Sequence, residues 1–201
     1  MLTYHHAGTS EMPLEVLTKS FVAWFEGEPW LERFRCPSCN GFCDFGSTGR
    51  YAEWGNGLCE VCGTALMPYW SLERVVEYYF DAARRQGFNQ ILGKDEQGVV
   101  QSWAWGYDLR ANPGFEDMPA GGFYGDHVGV ASEYRGVDSF DIMVRGWEIL
   151  EGLGFRYMVI RTHQQAEYVR EFLNTIGFNP LDHHASEPDR VYMVWDPTGS
   201  L

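Results

Sequence analysis

Basic residues are scarce in this chain. Fifteen Lys and Arg stand against 28 Asp and Glu, giving a formal net charge of −13. Such a surface repels phosphate backbones and anionic membranes, which disfavours nucleic acid as a partner and favours cationic small molecules or basic protein segments. Long apolar runs are also missing, and none approaches the ~18 residues of a membrane span. The opening residues, MLTYHHAGTSEMP, lack the charged-then-apolar pattern of a secretory signal. A soluble cytoplasmic protein is the expectation. Internal repeats and low-complexity segments are absent. What the chain does have is 45% hydrophobic and 16% aromatic content over 201 residues. That is enough for one packed domain and a small appendage, and it excludes disorder.

Cysteine is sparse but patterned. Four of the five form the pairs Cys36/Cys39 and Cys59/Cys62, with 19 residues between the pairs. Without a secretory signal, paired CxxC is better explained by metal than by disulfides. CPSCNG and CEVCGT each resemble a zinc knuckle, in which a tight turn lets two thiolates converge. Four thiolates saturate a tetrahedral zinc and leave no open position, so the expected role of Cys36, Cys39, Cys59 and Cys62 is structural. Spacing alone leaves iron open as the alternative metal. Cys43 is read as a spare thiol, with exchange into the ligand set as its alternative. The segment 30–68, rich in Gly, Cys and aromatics and without helical period, is expected to form an inserted zinc ribbon between the first two helices.

The remaining chain alternates strand and helix patterns. Residues 2–7 suit a first strand carrying His5 and His6, for which a structural role is expected. Leu14, Leu17, Phe21, Trp24 and Phe25 trace one face of a helix that begins after Pro13. Ser71 is a candidate N-cap for a second helix with Leu72, Val75, Val76, Tyr79, Phe80 and Ala83 on its apolar side, and Gly87 as its stop. Residues 88–110 read as a hairpin turning near Asp95–Gly98. In its second arm Val99, Gln101, Trp103, Trp105 and Tyr107 share a face; the small residues share the other, which suits close helix packing. The aromatic row is expected to be core. Residues 110–122 form a Pro/Gly loop, either a binding loop or a connector.

The organising stretch is 123–180. FYGDHVGVASEYRG leads into a helix whose apolar face is Phe140, Met143, Val144, Trp147 and Leu150. The continuous apolar run Tyr157–Ile160 reads as a strand buried on both faces. A helix with Val169, Phe172, Leu173 and Ile176 inward follows. RVYMVWD closes the sheet after a loop holding His183 and His184. A turn with Arg135 and Gly136 feeding a helix N-terminus aims backbone N–H groups and the positive dipole end at one point, which makes an anion site.

This order, with SWAWGY, VGVASEYRG and FLNTIGFNP, resembles the GCN5-related N-acetyltransferases over about 160 residues. The resemblance implies an α/β fold with a mixed central sheet flanked by helices, and acetyl transfer from acetyl-CoA to an amine of a small molecule or protein. It places pantetheine beside Val128, Gly129 and Val130, and the diphosphate on the amides of Arg135, Gly136, Val137, Asp138 and Ser139. It further implies that His127, with Asp126 beside it, occupies the position of the family's frequent glutamate base; an imidazole can serve there. Other positions depart from the pattern. Asp138 and Phe140 replace two small residues of the diphosphate loop, and Asp138 is expected to cap the helix and to oppose an anion. Leu173 stands where a general-acid tyrosine is common, Tyr168 lies on another face, and Ala166 replaces an asparagine. A catalytically silent domain that docks a protein through its ribbon is the alternative expectation.

Overall fold

The computed structural model describes residues 2–25, 34–39, 58–59, 62–68, 70–182, 190–197, 199 and 201; for ten of these (22–25, 34, 35, 68, 132, 137 and 138) the backbone alone is described. Cys43, His183 and His184, and the side chains of Trp24, Phe25 and Asp138, lie outside that description. The chain divides into two compact units, one formed by residues 1–12 and 80–201 and the other by residues 13–79.

The larger unit is a seven-stranded sheet in the order β1-β4-β5-β6-β7-β9-β8. Its strands are β1 (Thr3–His6), β4 (Asn89–Lys94), β5 (Val100–Asp108), β6 (Gly122–Val130), β7 (Tyr157–His163), β8 (Asn179–Leu181) and β9 (Arg190–Trp195). All neighbouring pairs are antiparallel except β6 and β7. That parallel pair needs a crossover, and helix α3 (Val137–Gly152) provides it. Helix α4 (Glu167–Thr175) then carries the chain from β7 to β8.

The hairpin turn falls where its sequence places it. The Asp95 carboxylate accepts the N–H groups of Gln97 and Val99, and Gly98 closes the turn at φ +78°. Trp103, Trp105 and Tyr107 are buried, as core. On the opposite face α3 and α4 cover Ile91, Phe123, Met158, Ile160 and Met193 with Trp147, Leu150 and Leu173. Phe140 is not part of this face: it is 44% exposed, while Ile142 and Gly146 turn inward. Gly146 has no side chain, so the helix approaches until a Cβ there would stand 3.3 Å from Ile91 Cδ1. Val169, expected inside, is also exposed, because α4 buries chiefly Leu173.

Residues 110–122 are pinned to the sheet. Phe115 is buried against Tyr124 and Tyr192, and the Tyr157 hydroxyl donates to the Pro119 carbonyl. Gly106 fixes how closely β5 and β6 can pack. A Cβ there would lie 1.9 Å from the Tyr124 carbonyl oxygen, a backbone atom that cannot rotate away. Gly106→Ala is therefore expected to destabilise the fold by about 3 kcal/mol or more. Urea denaturation would show this as a lower midpoint, and an unchanged midpoint would refute it.

The smaller unit contains α1 (Leu14–Phe25), the two-residue strands β2 (Phe34–Arg35) and β3 (Met67–Pro68), and most of α2 (Leu72–Ala83). Ser71 caps α2, its hydroxyl accepting the Arg74 N–H at 3.3 Å. Leu17, Phe21, Val75 and Tyr79 are buried, whereas Leu72 and Phe80, assigned to the apolar face, are exposed. Phe21, Trp70 and Tyr78 pack edge to face, with centroids 4.8–5.7 Å apart.

Candidate functional site

The four patterned cysteines converge. Strands β2 and β3 pair as Phe34↔Pro68 and Arg35↔Met67, which brings the first knuckle to the chain leaving the second. The second knuckle is a tight loop. The Cys59 N–H donates to the Thr64 carbonyl, the Gly63 N–H donates to the Cys59 carbonyl, and Gly63 takes φ +69°. The Sγ atoms of Cys36, Cys39, Cys59 and Cys62 all lie within 4.8 Å of one another. Two cross-knuckle distances are 3.4 Å, Cys36 to Cys62, and 3.6 Å, Cys39 to Cys59. Both are far too long for disulfide bonds of ~2.05 Å. They suit thiolates at the corners of a tetrahedron, where Zn–S of ~2.3 Å sets S···S near ~3.8 Å. Backbone N–H groups of Cys39 and then Ser38 point at Cys36 Sγ and hold its pKa below the ordinary thiol value. A second layer ties the knuckles together: the Thr64 hydroxyl donates to Ser38 Oγ at 3.0 Å.

The other candidate lies where β6 and β7 part. Their parallel register runs from Gly122↔Tyr157 to Gly125↔Ile160 and ends there. Beyond that point β6 pairs with β5 alone and β7 with β9 alone among the described residues. The sheet opens into a cleft whose near wall is the free edge at Val128–Val130. A β-bulge marks its start: Trp105 faces His127 and Gly106 faces Gly125, so Asp126 is the extra residue. Asp126 is held there by Trp105, whose indole N–H donates to its Oδ2 at 3.2 Å.

At the end of β6 the chain passes through a 3-10 turn, Ser132–Tyr134, to Arg135 and Gly136. Gly136 takes φ +100°, a conformation open to glycine, with nothing within 4 Å of where a Cβ would sit. It is the N-cap of α3, and its N–H donates to Ser139 Oγ at 3.3 Å. Asp138 is thus in the first turn of α3 and is not its cap. Arg135 is exposed, and its Nε reaches back 3.5 Å to the Val130 carbonyl. The open edge, the bare approach at Gly136 and the first turn of a sixteen-residue helix fit an extended amide-bearing chain ending in a diphosphate.

His127 lies beside this cleft but inside the protein. It is 6% exposed, its ring rests 4.5 Å from that of Trp105, and burial pushes its pKa down to about 3. An imidazole so placed stays neutral and is a weak proton acceptor. Tyr168 is 80% exposed on α4, Leu173 is buried, and Ala166 is the α4 N-cap residue. The bulge and the parting of β6 from β7 were not anticipated from the sequence; both depend on long-range register. The local signals available were two glycines, Gly125 and Gly129, flanking Asp126 and His127 in an otherwise apolar strand.

The fold these elements make is GCN5-related N-acetyltransferase-like (GNAT-like), similar to that of solved acetyltransferases. The ribosomal-protein-alanine N-acetyltransferase of Brucella melitensis is similar at a TM-score of 0.56 and 15% identity, covering 97% of this chain and 99% of that one. The yncA protein of Salmonella typhimurium, assigned as an acetyltransferase and solved with its cofactor acetyl-CoA, is similar at 0.55 and 14%, covering 98% and 94%. The spermidine/spermine N-acetyltransferase SpeG of Vibrio cholerae is similar at 0.54 and 11%, covering 98% and 95%. No protein-family model matches the sequence. No curated protein matches it either. Among the described residues, no helix is long and apolar enough to cross a membrane.

Proposed function

We propose that this chain is an N-acetyltransferase that moves an acetyl group from acetyl-CoA to an amine, with Cys36, Cys39, Cys59 and Cys62 holding a structural zinc. The observation that carries the proposal is the parting of β6 from β7 directly before a glycine-capped helix N-terminus. Acetyl-CoA supplies the activated acyl group. The edge at Val128, Gly129 and Val130 aligns the donor's arm by main-chain hydrogen bonds. The amides of Val137 and Asp138, in the first turn of α3, receive the diphosphate, with Arg135 close by in the chain, while the Gly136 and Ser139 N–H groups are engaged by Ser139 Oγ and the Gly136 carbonyl and shape the turn.

Proximity does most of the remaining work, because a neutral amine held against a thioester attacks without a strong base. Asp126 accepts a hydrogen bond at the mouth of the cleft and is the better placed of the two candidate proton acceptors; His127 is inward and held neutral. The net charge of −13 favours a cationic acceptor, whether a polyamine-like small molecule or a basic protein segment.

Calorimetry with acetyl-CoA tests the proposal. Wild type is expected to bind at micromolar strength. Asp138→Gly is expected to bind roughly tenfold tighter or more, since it removes a carboxylate from the turn that receives the diphosphate. Failure of both proteins to bind would overturn the enzyme assignment. Binding restored only in the variant would mean that Asp138 closes the site, and would favour a protein-docking role for the ribbon.

A further inference from the structure

Two opposite charges stand where β6 and β7 part. Gly125 and Ile160 are the last paired residues of the two strands, and Asp126 and Arg161 follow them directly. Ile160 packs into the core that α3 and α4 cover, so strand alternation turns Arg161 to the other face. Asp126 turns to that face as well, held by the indole N–H of Trp105. Arg161 is exposed and Asp126 half-buried, so a ligand can reach both.

Buried tyrosines line the sheet beside them. Arg161 is the register partner of Tyr192, which is buried, as are Tyr107 and Tyr124. Burial raises the Tyr124 hydroxyl above its ordinary pKa; the Arg161 guanidinium opposes that rise and the Asp126 carboxylate adds to it. The same two charges act on the Tyr107 hydroxyl, which burial also raises. A cation from one strand and an anion from the other thus bear on the same two rings.

The strands lie ~4.8 Å apart while they pair and diverge beyond that point. A ligand with an amine and a carboxylate only a few bonds apart can answer both charges at once. We propose that Arg161 selects the acceptor by binding the carboxylate of a free amino acid whose amino group lies against Asp126, an assignment that rests on the acetyl transfer proposed above. A guanidinium grips a carboxylate through two parallel N–H bonds, which a carboxamide or a plain amine cannot accept in that way. In the transfer the amino nitrogen bonds to the acetyl carbon and the C–S bond breaks with its electrons on sulfur. The proton shed by nitrogen, accepted first by Asp126, ends on the thiolate. The net charge of −13 does not oppose such an acceptor, because a zwitterion has no net charge to repel. Exposed charges beyond about 8 Å are also largely screened at physiological ionic strength, so the nearest groups decide its placement.

The experiment follows acetylated product by mass spectrometry, with acetyl-CoA and three acceptor sets: the free amino acids, the same amino acids as carboxamides, and 1,4-diaminobutane. Wild type is expected to acetylate at least one free amino acid with kcat/KM ~30-fold or more above its carboxamide. Arg161→Gln should remove most of that gap, chiefly through KM, and leave the carboxamide within a few-fold of its wild-type rate. Arg161→Lys should restore part of the gap, and Arg161→Glu should turn the preference toward the diamine. Equal use of acid and carboxamide by wild type, or a gap that survives in Arg161→Gln, would overturn the assignment. So would the absence of any acetylated amino acid from a protein that binds acetyl-CoA in calorimetry; in each of these cases the donor site stands. Acetyl-CoA binding to neither wild type nor Asp138→Gly would remove the acetyl transfer itself, and this assignment with it.

Discussion

Cys36→Ser is expected to abolish the zinc binding proposed for the four cysteines and to destabilise the segment that they close. Cys36 is the most enclosed of the four ligands, fully buried and approached by two backbone N–H groups. The secondary structure described around it is slight: two paired residues in each of β2 and β3, and one bridge between Leu58 and Ala65. Small ribbons closed by metal draw much of their folding free energy from metal binding, which for structural zinc peptides runs to about 10–16 kcal/mol at neutral pH. Metal analysis of purified protein should find one zinc per chain in wild type and essentially none in the variant. A strong chelator should reproduce the loss and lower the thermal midpoint. Full occupancy in Cys36→Ser would show that the four-thiolate site is not the metal site, and iron in the wild type would replace zinc in this account.

The second large effect is acid sensitivity set by His127. Its folded pKa of about 3 lies below the ordinary value of 6.5, because burial disfavours the imidazolium. The unfolded chain therefore binds more protons between those limits. The contribution is fully present above pH 6.5 and is lost as pH falls toward 3, to a total of about 5 kcal/mol. At pH 4.5 roughly 3 kcal/mol should already be gone. Denaturation measured at pH 7.5 and 4.5 should show that difference in wild type and a much smaller one in His127→Gln. Equal pH dependence in the two proteins would mean that the imidazole is solvated after all. The depressed carboxylates Glu11, at about 2, Asp95 and Glu116 also lose stabilisation in acid, but they titrate below His127's unfolded value, and the comparison with His127→Gln cancels them.

Much of this architecture was legible because its signals are local. Ser71 caps the helix that it precedes, Asp95 and Gly98 make the turn between two alternating runs, and the apolar Tyr157–Ile160 is buried on both faces. The CxxC pairs were legible for the same reason: each knuckle is a closed local loop, so spacing alone shows two thiolates converging. What escaped was set by packing partners far along the chain. Phe140 fits a helical stripe as well as Ile142 does, and only the close approach at Gly146 decides which of them faces the sheet. Phe115 sits in a segment of Pro and Gly, where no periodicity marks a buried anchor. The capping role assigned to Asp138 failed by two residues, because a glycine at +100° can begin the helix earlier than any side-chain cap would.

The bulge at Asp126 has a consequence for how β6 responds to mutation. A regular strand obeys a two-beat rhythm, in which every second position tolerates a polar side chain. In β6 the beat slips. Tyr124 and His127, three residues apart, both turn to the Trp105–Tyr107 side, while Gly125 and Val128, also three apart, both turn to the side that α3 covers. A substitution scan along Phe123–Val130 would therefore trace two alternating patterns out of phase, joined at one residue. Deleting Asp126 would bring them back into step, with Tyr124 and His127 still on one side of the sheet and Gly125 and Val128 on the other, so the strand should tolerate the loss of this one residue better than the loss of any neighbour.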